Sequence, residues 1–138
     1  MKKLSILLCS LLLLFCCSCR LLDNRKYVCD AEEVKSVQIV RLEDIEPYYQ
    51  FDYTVLFEIT DYITFVDQLN NIETYVKWGT PHVMNVEDII IRIEYQNGDY
   101  ELISRGVQCF CRSGTFTDGH FVFDESEFEA LIEKYLNN

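Results

Sequence analysis

Basic residues are scarce in this chain, and that shortage removes whole classes of partner. The 138 residues carry 12 Lys and Arg against 23 Asp and Glu, a formal net charge of −11. Every acidic residue lies beyond position 19, whereas Lys2 and Lys3 precede it. From residue 19 onward there are therefore 10 basic and 23 acidic side chains, a net of −13. Such a surface repels phosphate backbones and anionic headgroups, so no nucleic acid is expected as a partner. Cations and basic protein patches stay compatible with it, and solubility is its plainest use. Histidine is equally scarce, at His82 and His120 alone. No GxSxG or HExxH frames them, so they read as polar turn residues and the chain is not expected to be an enzyme. The CxxC pairs of common zinc sites are absent, as is the D-x-[DN]-x-[DN]-G order of a calcium loop. No cofactor or metal is expected.

Long apolar runs are missing too. The longest, Leu4 to Phe15, is interrupted only by Ser5 and Ser10. It falls short of the roughly 20 residues that cross a bilayer, but suits the apolar core of a signal peptide. Lys2 and Lys3 supply the positive start, and no Ala-x-Ala cleavage site follows. Cys16-Cys17-Ser18-Cys19 follows instead, and it resembles the cleavage box of bacterial lipoproteins. In that class a small residue, here Ser18, precedes a cysteine, here Cys19, that receives diacylglycerol before signal peptidase II cuts in front of it. Cys16 stands where the class usually carries Leu, Val or Ile, and Cys17 is the alternative lipid site. The resemblance implies a signal peptide over 1–18 and a lipidated cysteine at 19; the mixed polar residues that follow complete a short tether over 19–33, and the pattern from Val34 reads as one domain over 34–138. The resemblance also implies a cell-membrane location on the extracytoplasmic side, held by the lipid.

The full chain is 49% hydrophobic and 25% charged, a globular balance. Val37, Ile39 and Val40 to Leu42 mark a first strand, and Glu43 to Gln50, with Pro47, a loop. Residues 51–59 alternate apolar and polar, the period of a half-buried strand. Asp61 can cap a helix whose Tyr62, Phe65, Val66 and Leu69 share one face. Residues 73–85 read as a connecting loop. Ile89, Ile91, Ile93 and Tyr95 mark a strand leading to Asn97-Gly98, a two-residue hairpin turn that pairs Tyr95 with Tyr100 and Ile93 with Leu102. Val107 to Arg112 continues as strand. Asp118-Gly119 reads as a second turn, placing Phe116 opposite Phe121 before a last strand at 120–123. Asp124 and Glu127 form a capping box, and Phe123 and Phe128 a staple, for a closing helix with Phe128, Leu131, Ile132, Tyr135 and Leu136 buried. The order β-β-α-β-β-β-α implies an α+β fold: a mostly antiparallel sheet with two amphipathic helices on one face. Ile59-Thr60-Asp61, Tyr95 to Tyr100 and Asp124 to Leu136 resemble features of small lipoproteins of Gram-positive bacteria. These features are structural and imply no activity.

Few residues are candidates for a site. Cys109 and Cys111 lie two apart on a strand, so they share a face, and Cys29 can bridge to either as a disulfide. Free thiols are the alternative, as is a soft-metal site of Cys29, Cys109 and Cys111 with His120. Tyr48, Tyr49, Tyr75 and Trp78 fall in expected loops and form a candidate binding surface for sugar, peptide or protein. The acidic run Asp124, Glu125, Glu127 and Glu129 is accounted for by the helix dipole. The expected function is therefore a lipid-anchored binding module of the cell envelope, with a protein or an envelope polymer as partner. A small redox or metal-binding protein using Cys109 and Cys111 is the alternative, and a structural accessory to a neighbouring envelope system is a third.

Overall fold

The computed structural model describes residues 25–46, 50–76, 84–104, 107–112 and 115–137; at 45, 46, 50, 107–110, 112 and 115–120 it describes the backbone alone. Among these residues the chain runs through β1 (Val34–Glu46), β2 (Gln50–Ile59), α1 (Tyr62–Asn71), β3 (Thr74–Val76), β4 (Ile89–Tyr95), β5 (Tyr100–Ser104), β6 (Val107–Arg112), β7 (Thr115–Phe123) and α2 (Glu125–Leu136). The strands form one sheet in the order β2-β1-β4-β5-β6-β7-β3, antiparallel at every pairing. The fold is α+β, and both helices pack on one face of the sheet.

Apolar patterning explains why this sheet is covered on both faces along its centre. The run Ile89-Ile90-Ile91 has no polar alternate, so each direction must find apolar neighbours. Ile91 and Ile93 turn to the helices with Val37, Ile39, Phe65, Leu69, Phe128 and Ile132. Ile90 turns to the other side with Val40, Leu42 and Leu102 in a smaller cluster. Val37, Ile39, Val40 and Leu42 are all fully buried on β1, which serves the two clusters in turn.

The helices start where their caps place them. Asp61 accepts the Thr64 N–H at 3.1 Å, and Asp124 accepts the Glu127 N–H at 3.0 Å. The Glu127 carboxylate does not turn back to Asp124 as a capping box would. It accepts the backbone N–H of Glu73 at 2.9 Å, while Asp124 N–H donates to Glu73 O at 2.8 Å. The cap thereby fastens α2 to the end of α1. Phe65 and Tyr135 meet edge to face at 5.1 Å, so the two helices lie against each other over the sheet.

Four local expectations are corrected. Residues 43–46 extend β1 rather than opening a loop, so only 47–49 separate β1 from β2. Residues 74–76 form edge strand β3, paired with β7, where a loop was expected. Asp118-Gly119 lies inside β7, with Asp118 opposite Cys109 and Phe116 opposite Cys111. The reversal falls instead between Arg112 and Thr115, because the two arms find their best pairing there.

The fourth concerns the hairpin at Asn97-Gly98. Its loop has three residues, not two. Gly98 N–H donates to Tyr95 O at 3.0 Å, and Tyr95 N–H to Asp99 O at 2.9 Å. Gly98 has φ +89°, the left-handed bulge position that follows a turn of this length. Pairing therefore slips by one: Ile93 faces Glu101 and Arg92 faces Leu102. A slip of one residue exchanges the faces of the whole strand.

Replacing Phe65, fully buried at the centre of the helix-facing core, with alanine is expected to cost about 3–5 kcal/mol in urea unfolding. The same change at exposed Ile63 is expected to stay within about 0.5 kcal/mol.

Candidate functional site

The register of β5 puts a carboxylate into the helix-facing core. Glu101 is 4% exposed, and a buried carboxylate is tolerated only with partners. Two tyrosine hydroxyls supply them. Tyr27 O–H donates to Oε2 at 2.9 Å and Tyr95 O–H to Oε1 at 2.5 Å. Tyr27 comes from the stretch expected to be tether. It is as buried as the core, edge to face with Phe121 and Phe123. Its N–H donates to Thr74 Oγ1 at 3.2 Å. Two residues on, Cys29 N–H donates to Asn70 Oδ1 at 2.8 Å and Asn70 Nδ2 donates back to Cys29 O at 2.9 Å. This two-way amide clamp packs the backbone of Cys29 against α1.

Burial pushes the Tyr27 hydroxyl well above its ordinary range, and the Glu101 charge adds to the shift. The same causes, in the same order, raise Tyr95. Burial also raises the Cys29 thiol, against a smaller opposing effect of its contact with Tyr95 O–H at 3.6 Å. A thiol held protonated is a poor nucleophile.

The cysteine expectations change accordingly. Cys29 and Cys111 are free and buried, so the bridge between them that the spacing allowed is not formed. Cys29 lies among the helix-facing core residues. Cys111 sits opposite Tyr100 on β6, and Tyr100 packs against the cluster on the other side of the sheet. Cys109 pairs with Leu102 in the register; its side chain and that of His120 lie outside the described residues, as do Cys19 and His82. Among the described residues no three His, Cys, Asp or Glu side chains group closely enough to hold a metal ion. Of the aromatic surface, Tyr75 is on edge strand β3 and 56% exposed, while Tyr48, Tyr49 and Trp78 lie outside the described residues.

A concave feature among the described residues lies elsewhere. A groove of about 350 Å³ runs between α2 and the turn before β4, lined by Glu87, Asp88, Ile89, Phe128, Glu129, Ile132, Glu133 and Leu136. Phe128, Ile132 and Leu136 repeat every four residues along α2 and make an apolar floor with Ile89. Glu129 and Glu133 follow at the same spacing, one position on, and are exposed along the rim. Glu87 stands on the opposite rim at φ +72°, a left-handed conformation unusual for a long side chain. Its backbone is forced there. Glu87 N–H donates to Leu42 O at 2.8 Å, Asp88 N–H to Asn85 O at 3.1 Å, and Leu42 N–H to Asp88 O at 3.0 Å. The buried Asp88 carboxylate holds the turn from inside, accepting Asn85 N–H at 2.9 Å and Ser104 O–H at 3.3 Å. The rim carries one described cation, Arg41, whose Nε lies 3.8 Å from Glu87.

Neither site is carried by a local motif. The two-residue hairpin register, with Ile93 opposite Leu102, turns Glu101 away from the helices, and the helix dipole accounts for Glu129 without any partner. The spacing of Glu129 and Glu133 beside the Phe128-Ile132-Leu136 stripe was the available signal for the groove. No protein-family model matches the chain, and no curated protein or solved structure matches it.

Alkaline pH tests the tyrosine network. Folded Tyr27 and Tyr95 keep their protons beyond the ordinary tyrosine value of about 10, where the unfolded chain releases them. The unfolded state then binds fewer protons, so stability is expected to be full below about pH 10 and to fall as pH rises above it. The double variant Tyr27→Phe/Tyr95→Phe is expected to flatten that fall, read as urea midpoint against pH. Cys29 is expected to resist iodoacetamide in the folded protein and to react on unfolding. Asn70→Ala, which removes the clamp, is expected to speed its native-state labelling, followed by peptide mass.

Proposed function

We propose that the chain is an exported lipoprotein, lipidated on Cys19, whose domain is a binding module at the extracytoplasmic membrane surface. The leader, with its positive start, short apolar core and Ser18-Cys19 step, supports the address. No helix among the described residues is long and apolar enough to cross a membrane.

The docking of Tyr27 is the observation that carries the reading. Seven residues separate Cys19 from Tyr27, a reach of at most about 28 Å over the chain steps between them. A lipid on Cys19 would therefore hold the Tyr27 end of the domain close to the bilayer. That end contains Tyr95, Asn70 and Thr74. The groove sits at the other end of β4: Ile89 lines it while Tyr95 meets Tyr27's carboxylate partner. Five residues of strand separate the two, a span of about 20 Å. The groove therefore lies at the far end of β4 from the point where the chain leads back toward Cys19. Lipid anchoring with more than one acyl chain gives stable retention, since each buried methylene contributes about 0.8 kcal/mol.

The intact mass of the protein from native membranes is expected to begin at Cys19 and to include acyl chains. Cys19→Ser is expected to remove that lipid and its metabolic palmitate label. A native mass that retains residues 1–18, or a chain cut at Cys19 without lipid, would overturn the anchored reading.

A further inference from the structure

We propose that the groove beside α2 receives an apolar side chain carried on a basic stretch of a protein partner. The proposal rests on the reading of this chain as a binding module, and it is independent of the lipid on Cys19. The volume of about 350 Å³ lies at the low end of the roughly 300–1,000 Å³ of small-molecule pockets. It accommodates one or two side chains rather than a large ligand.

The chemistry of the lining selects the occupant. Ile89 and Leu136 are the partly exposed apolar side chains of the floor, over Phe128 and Ile132 buried beneath them, so the entering group is apolar. Around them stand Glu87, Glu129 and Glu133, on a chain of net charge −11, so the residues flanking that group are cationic. A divalent cation is a different occupant of acidic rims, and the geometry disfavours it. The described carboxylates nowhere converge in a group of three that could hold a metal. They are spread along two sides of the groove, which suits Lys or Arg residues spread along a peptide.

Glu87 belongs to this design. Its left-handed backbone is fixed by the bonds to Leu42 and the 85–88 turn, so its carboxylate is presented from a rigid support. Its pairing with Arg41 is long, at 3.8 Å, and both side chains are substantially exposed. A partner's guanidinium can take the place of Arg41 there at little cost. Opposite, Glu129 and Glu133 ride on a helix whose inner face is locked into the core through Phe128 and Ile132.

The test uses the full chain purified in nonionic detergent and three fluorescein-labelled peptides, read by anisotropy. One has a central Leu flanked by Lys, one a central Ser flanked by Lys, and one a central Leu flanked by Glu. The Lys-flanked Leu peptide is expected to bind saturably and more tightly than the other two, and to weaken with salt. Glu129→Lys/Glu133→Lys on the rim and Leu136→Ser on the floor are each expected to weaken it about tenfold, or ~1.4 kcal/mol. Glu32→Lys/Glu33→Lys makes the same charge change at the far end of the domain and is expected to leave binding unchanged. Circular dichroism checks that each variant keeps the native fold. Equal binding of the Leu and Ser peptides, equal weakening by the rim and far-end reversals, or no saturable binding at all would each overturn the groove assignment. Those results would leave the membrane address standing, because that is read separately from the mass at Cys19.

Discussion

The pairing of β4 with β5 is the constraint on which the rest of the structure depends. A three-residue loop with Gly98 at φ +89° sets Ile93 opposite Glu101. With a loop one residue shorter, Leu102 would take that place and Glu101 would turn away from the helices. The apolar choice would be the easier one for a core. The observed register instead requires a buried carboxylate to find donors, and Tyr95 and Tyr27 are those donors. Because Tyr27 lies far from Glu101 in sequence, satisfying the carboxylate also binds the start of the domain to its centre.

That coupling orients the molecule. The Asn70 clamp on Cys29 and the rings of Phe121 and Phe123 around Tyr27 fix where the chain leaves the domain. Strand β4 then acts as a spacer between this exit and the groove. A buried ion with hydrogen-bonding partners is weak evidence for added stability. Its better-attested service is to specify one arrangement among several, and here that arrangement is the β4–β5 register with Tyr27 packed against it. The raised tyrosine and thiol protonation equilibria fit that purpose, since all three groups stay neutral and uncharged through the physiological range.

The groove is separate from this network yet depends on the same framework. The floor residues Phe128 and Ile132 are part of the helix-facing core, and Asp88 ties the rim turn to Ser104 on β5. Surface charge and apolar floor therefore rest on a rigid support, which reduces the ordering cost of binding. The covered back of the sheet has its own polar finish. Arg92 lies over the Tyr53 and Tyr100 rings at 5.6 and 5.1 Å and donates to Glu94 at 2.9 Å. There the cation is taken up by aromatic faces and one carboxylate, an arrangement explained by packing alone.

Local pattern determined much of the architecture. The alternation at 51–59, the face formed by Tyr62, Phe65, Val66 and Leu69, the caps Asp61 and Asp124, and the hairpin at Asn97-Gly98 all rest on contacts within a few residues, which a sequence displays directly. The positive start, short apolar run and Ser18-Cys19 step are local patterns too, and they are the basis of the proposed address. Tertiary structure decided the rest. Whether the Asn97-Gly98 loop holds two residues or three depends on which face of β5 the whole sheet can satisfy, and Tyr27, 74 residues away, takes part in that choice. Residues 74–76 become a strand only because β7 offers an open edge, and Asp118-Gly119 stays extended because β6 and β7 pair through it. The groove exists only where the α2 stripe meets the turn at 85–88. Each of these outcomes is a sum over distant partners, and no local spacing carries that information.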